Sequence, residues 1–146
     1  MFGLPVITVS GVITGAGCIN CQGFTKRGRN STMRVYWSGA ALMLKADMQL
    51  RESSAGRQSL DTALKSLSNC CLENGRTWRA REMFEQLDEL TETDIFMRLY
   101  DQYVYANSFP DMRSTWEALG VNTRRKQVKL SDDAPQAAIR TSIMKG

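Results

Sequence analysis

Apolar side chains recurring every three to four residues from about Tyr36 to Leu119 constrain this chain more than any other feature. That spacing lines one face of an α-helix, whereas a strand would need alternation. In the first run Trp37, Ala41, Leu44 and Met48 form one row and Ala40, Met43 and Leu50 a second. So broad an apolar surface calls for burial on most sides of a helix over 36–54. Asp47 and Arg51, one turn apart, pair on its remaining polar edge, and Ser53-Ser54-Ala55-Gly56 ends it.

Ser59 is the expected N-cap of a second helix, with Asp61 well placed in the first turn. Leu60, Leu64, Leu67 and Cys71 mark its core stripe, and Asn74-Gly75 closes it with residues that tolerate positive φ. A third helix over 79–90 carries Ala80, Met83, Phe84, Leu87 and Leu90. Thr91 followed by Asp94 reads as a capping-box variant. It opens a fourth helix through Tyr105, with Ile95, Phe96, Leu99 and Tyr103 inward. Pro110 opens a short fifth with Met112, Trp116 and Leu119, stopped by Gly120. Gln127–Leu130 reads as a short strand and Asp132–Met144 as a final helical turn or more. The pattern predicts a mainly α fold, a five-helix bundle with an irregular or weakly β N-terminal segment.

The character differs before about residue 31. Gly3, Gly11, Gly15, Gly17, Gly23 and Gly28 interrupt a β-branched run there. The expected organisation is a glycine-rich segment over 1–31, a helical domain over 32–121 and a strand–helix tail over 122–146. Residues 1–25 carry no charged side chain, yet no basic stretch precedes their apolar residues as a secretory signal requires. The compartment stays open, with the cytoplasm favoured.

Composition narrows the function. The net charge is only +4, and basic residues are spread over the helices rather than gathered on one stripe. Lys26, Arg27 and Arg29, and likewise Arg124, Arg125 and Lys126, read as solvated loops, so no nucleic-acid partner is expected. No run approaches the roughly 18–20 apolar residues of a membrane span, so no membrane partner is expected either. Histidine is absent, which removes the usual imidazole ligand of catalytic zinc and the usual base near neutral pH. The cysteines fall as Cys18-x-x-Cys21 and the adjacent pair Cys70-Cys71. Adjacent helical residues point about 100° apart and face one ion poorly, and no βαβ pattern surrounds Cys18. Buried structural thiols are therefore expected.

Tyr36-Trp37-Ser38-Gly39-Ala40 resembles the Tyr-x-x-Gly-Ala segment of thermolysin-like zinc aminopeptidases. The continuation resembles still more closely the glycyl-aminopeptidase family, metallopeptidase family 61. It supplies Asp47, Arg51, Ser59-Leu60-Asp61, Tyr100-Asp101-Gln102-Tyr103 and Leu119-Gly120 in the family's order over about 33–121. The resemblance implies the C-terminal helical subdomain of such a catalytic domain. In that family a His-Glu-x-x-His helix and a downstream glutamate hold zinc. The tyrosine matching Tyr36 donates its phenolic proton to the developing oxyanion. Gly39 would let the helix approach the substrate-binding wall.

This chain has no His-Glu-x-x-His, so no cofactor is expected in it. The expected function is that of an incomplete, non-catalytic relative of a zinc aminopeptidase domain. The alternative is a helical interaction or homo-oligomerising module. Either way an exposed apolar surface is expected to hold a second copy or a protein partner. Tyr36 is expected on an open surface or cleft, Gly39 on the wall of the same concavity and Trp37 in the core.

Overall fold

The computed structural model describes residues 28–72, 77–106, 108–124 and 127–145. Among them are six helices and one two-stranded sheet: α1 (Gly28–Ser53), α2 (Leu60–Cys70), α3 (Ala80–Thr91), α4 (Ile95–Tyr103), α5 (Arg113–Ala118), β1 (Val121–Arg124), β2 (Gln127–Leu130) and α6 (Ala137–Lys145). The fold is mainly α, as the periodicity predicts. Of the N-terminal segment, residues 1–27 lie outside the described residues, and α1 runs through the expected boundary at 31.

The first four helices close the core. Leu42, Ala46 and Leu50 of α1 meet Ala63 and Leu67 of α2, Phe84 and Leu87 of α3, and Ile95, Phe96, Leu99 and Tyr100 of α4. Phe84 sits edge-on to Phe96 at 6.2 Å and to Tyr100 at 5.3 Å between ring centroids, a favoured aromatic geometry.

Two buried aspartates fix where helices begin. Ser59 and Thr62 form a reciprocal capping box at the head of α2, and the Asp47 carboxylate of α1 accepts the Leu60 N–H at 2.7 Å. Asp47 also accepts from Arg51 Nε at 2.9 Å, the i,i+4 pair expected from sequence. At the next junction the expected capping box over Thr91 and Asp94 does not form. Thr91 ends α3 instead, its hydroxyl donating to the Leu87 carbonyl at 2.7 Å, and Glu92 follows in a left-handed conformation with φ 55°. Asp94 holds the N-cap position of α4 without a side-chain hydrogen bond. The Asp88 carboxylate accepts the N–H groups of Phe96 (2.9 Å) and Met97 (2.7 Å) and the Thr93 hydroxyl (3.1 Å). A carboxylate reaching in from another helix thus satisfies orphan donors that a cap residue would otherwise meet.

Other boundaries shift for local reasons. α1 begins eight residues before Tyr36, at Gly28. α2 stops at Cys70, and Asn74-Gly75, expected to close it, lies outside the described residues. α4 stops at Tyr103 rather than Tyr105, and α5 begins at Arg113, where Asp111 Oδ1 accepts the backbone N–H at 2.9 Å. The strand over Gln127–Leu130 forms as expected and pairs antiparallel with β1, Val121 opposite Leu130 and Arg124 opposite Gln127. α6 supplies the expected C-terminal helix.

Candidate functional site

α1 has 26 residues, about 39 Å at 1.5 Å per residue. Among its residues with described side chains, Tyr36, Trp37, Gly39 and Ala40 are exposed, and Ala41 and Leu42 are buried. Tyr36 is 66% exposed, so the phenol stands on an open surface, the placement the resemblance calls for. Trp37, expected in the core, is 54% exposed. It lies edge-on to Tyr36 with ring centroids 5.4 Å apart. Angular position around a helix decides burial only where another element faces it, and the core helices meet α1 further along.

Gly39 departs from expectation as well. A Cβ built there would meet nothing within 4 Å, so no wall crowds it among the described residues. The exposed pair Tyr36 and Trp37, together with Ala40, forms an apolar surface on α1. Further exposed apolar side chains occur at Tyr105, Phe109, Trp116, Val128, Leu130 and Met144. Sequence reasoning missed the exposure of Trp116, whose spacing reads as core. The signal it lacked is that α5 is only six residues long and presents Thr115 rather than Trp116 to α1. Thr115 is buried and its Oγ1 accepts from Lys45 Nζ at 3.1 Å.

A shallow depression lies between α1, α2 and α6, lined by Arg51, Ser59, Asp61, Thr62, Thr141 and Ser142 among others. Arg51 is committed internally: it donates to Asp47 and, through Nη1, to Ser142 Oγ at 2.6 Å, while Lys145 also lines the depression. That arrangement ties α6 to α1. Of the three tyrosines that follow, Tyr100 is buried, Tyr103 half-buried and Tyr105 exposed, a core-to-rim series. The Tyr100 and Tyr105 hydroxyls lie 3.4 Å apart. That hydrogen bond and then burial push the Tyr100 phenol up to about 12.

The cysteines correct the reading of buried thiols. Cys70 is exposed and Cys71 half-buried, and a disulfide joins them. Cys18 and Cys21 lie outside the described residues. Among the described residues no three His, Cys, Asp or Glu side chains converge. The described residues do not fit a zinc site of the aminopeptidase kind. No described helix is long and apolar enough to cross a membrane.

The geometry defines a mainly α bundle with an exposed aromatic face on its longest helix. No protein-family model, curated protein or solved structure matches the chain.

Proposed function

We propose that this chain is a non-catalytic helical domain related to the glycyl-aminopeptidase catalytic domain, and that it works by docking. The observation that carries the reading is the exposed Tyr36–Trp37 pair on α1. Burying an apolar side chain stabilises a contact by roughly 1.5–3 kcal/mol, so two uncovered aromatics and their neighbours give a real driving force for association. Aromatic residues are also the type enriched in the energetic centres of interfaces. The relationship is supported by the ordered motif residues, by the open placement of Tyr36 and by the Asp47–Arg51 pair. The absence of peptidase activity in this reading rests on a sequence without histidine.

Two measurements test it. Sedimentation over a range of concentrations should show a homodimer, or a complex with a protein partner. Trp37→Ser should weaken that association at least tenfold while leaving the far-ultraviolet spectrum unchanged. A strictly monomeric chain that binds no partner and no apolar dye overturns the docking role. An aminopeptidase assay with added zinc, beside a measured zinc stoichiometry, tests the enzymatic half. Hydrolysis with one tightly bound zinc per chain overturns the non-catalytic assignment.

The second reading is an interaction module with no peptidase ancestry. The observation that favours it is Gly39, which faces open space rather than a substrate wall. Under that reading Tyr36→Phe and wild type associate equally, because no role attaches to the phenolic hydroxyl.

A further inference from the structure

The adjacent cysteines lie at the C-terminal end of α2. Cys70 is the last residue of α2 and is exposed. Cys71 follows as the C-cap and packs against the core cluster. Its backbone leaves the helical region at φ −137° and ψ −12°, although its N–H still donates to the Leu67 carbonyl at 3.0 Å. The apolar stripe that drives α2 includes Cys71, and the stop signal in the sequence, Asn74-Gly75, comes only later. The helix therefore ends where the cross-link falls. The same Leu67 oxygen lies 3.7 Å from Cys70 Sγ, which gives a thiol hydrogen on Cys70 an acceptor in the reduced chain.

We propose that Cys70 and Cys71 form a reversible thiol–disulfide exchange site for low-molecular-weight thiols and disulfides, and that its redox state decides whether α2 ends at Cys70. Oxidation begins when the exposed Cys70 thiolate attacks one sulfur of a small disulfide, releasing one thiolate and leaving a mixed disulfide on Cys70. The Cys71 thiolate then attacks Cys70 Sγ, the second small thiolate leaves, and the Cys70–Cys71 bond forms. Two protein thiols are oxidised, one external disulfide is reduced to two thiols, and the two protons pass to the released thiolates. Reduction runs the same steps backwards. Without the cross-link Cys71 is free to take helical dihedrals, and the Leu72 N–H gains the Ser68 carbonyl as its i−4 acceptor.

The test uses the full chain with Cys18→Ser and Cys21→Ser, equilibrated in buffers of varied reduced and oxidised glutathione, quenched with iodoacetamide and digested with trypsin. Cleavage after Lys65 and Arg76 isolates both sulfurs in one peptide, Ser66 to Arg76. The expected result is two alkyl groups on that peptide in reducing buffer and none in oxidising buffer, where it is lighter by two hydrogens. Cys71→Ser should trap glutathione on Cys70, because the resolving thiol is gone. Hydrogen exchange at the Cys71 and Leu72 amides should slow on reduction. Double alkylation in every buffer, or a glutathione adduct that persists on Cys70 with Cys71 intact, overturns the exchange site. Unchanged exchange at Leu72 overturns its control of the helix end.

Discussion

Asp88 holds three donors at once, two of them main-chain N–H groups in the first turn of α4. Its place in the apolar row with Phe84, Leu87 and Thr91 marks it as buried, and a buried carboxylate needs partners. Asp88→Ala leaves those donors without an acceptor, and a loss of about 2–4 kcal/mol in unfolding free energy is expected from denaturant titration. Asp88→Asn, which keeps one acceptor oxygen, should lose less; equal losses would refute the capping role. Tyr100 gives a second test. Its folded-state phenol is pushed up to about 12 from 10.0, first by the hydrogen bond with Tyr105 and then by burial. A raised folded value stabilises the neutral form, so the contribution is complete below pH about 10 and is lost as pH rises through about 12. In an ultraviolet titration of phenolate, Tyr105→Phe should move the last tyrosine midpoint downward. An unmoved midpoint would remove the hydrogen bond as the main cause.

Among the elements, the junction of α5, the hairpin and α6 turns on one glycine and one arginine. Gly120 has φ +71°, and a Cβ there would run into the Ser131 carbonyl oxygen and come within 2.8 Å of Ala134 Cβ. The Arg140 guanidinium, buried against this turn, donates to the Leu119 carbonyl at 2.9 Å and the Ser131 carbonyl at 2.8 Å, and pairs with Asp132. Gly120→Ala is expected to destabilise by about 2–4 kcal/mol, combining backbone strain with overpacking. A thermal midpoint unchanged from wild type would contradict it. The stop at Gly120 was legible in the sequence because glycine after an apolar-periodic run signals a helix end. The partner strand β1 was not legible: Val121–Arg124 has no alternation stronger than that of a loop. Its identity comes from its antiparallel pairing with β2. The role of Asp94 was misread for a related reason. A capping box is a local pattern, and the carboxylate that acts there comes from Asp88 on the preceding helix.

For the whole molecule, the core cluster draws only on α1 to α4. The α5–hairpin–α6 part is tied to it by polar links, Lys45 to Thr115 and Arg51 to Ser142, and by the contact of α6 with α1. Regions with few buried apolar contacts open at lower free energy than the core. Native-state hydrogen exchange should therefore show amides of residues 113–145 opening before those of α3 and α4. Equal protection throughout would mean one cooperative unit. The mainly α class was readable at this scale because four amphipathic helices supply their own evidence of burial in 3–4 spacing. The docking surface was only half readable. Periodicity assigns Trp37 to an apolar row, and nothing in a sequence says whether a neighbouring element reaches that far along the helix.

The two aspartate links impose an order in time. The donor at the start of α2 is held from α1, and the donors at the start of α4 are held from α3. A chain made from its N-terminus presents each carboxylate before the helix it will start, so synthesis and nucleation run in the same direction. A circular permutant that places α2 ahead of α1 reverses that sequence of events. It should refold from denaturant much as the parent does, yet accumulate less folded product during translation.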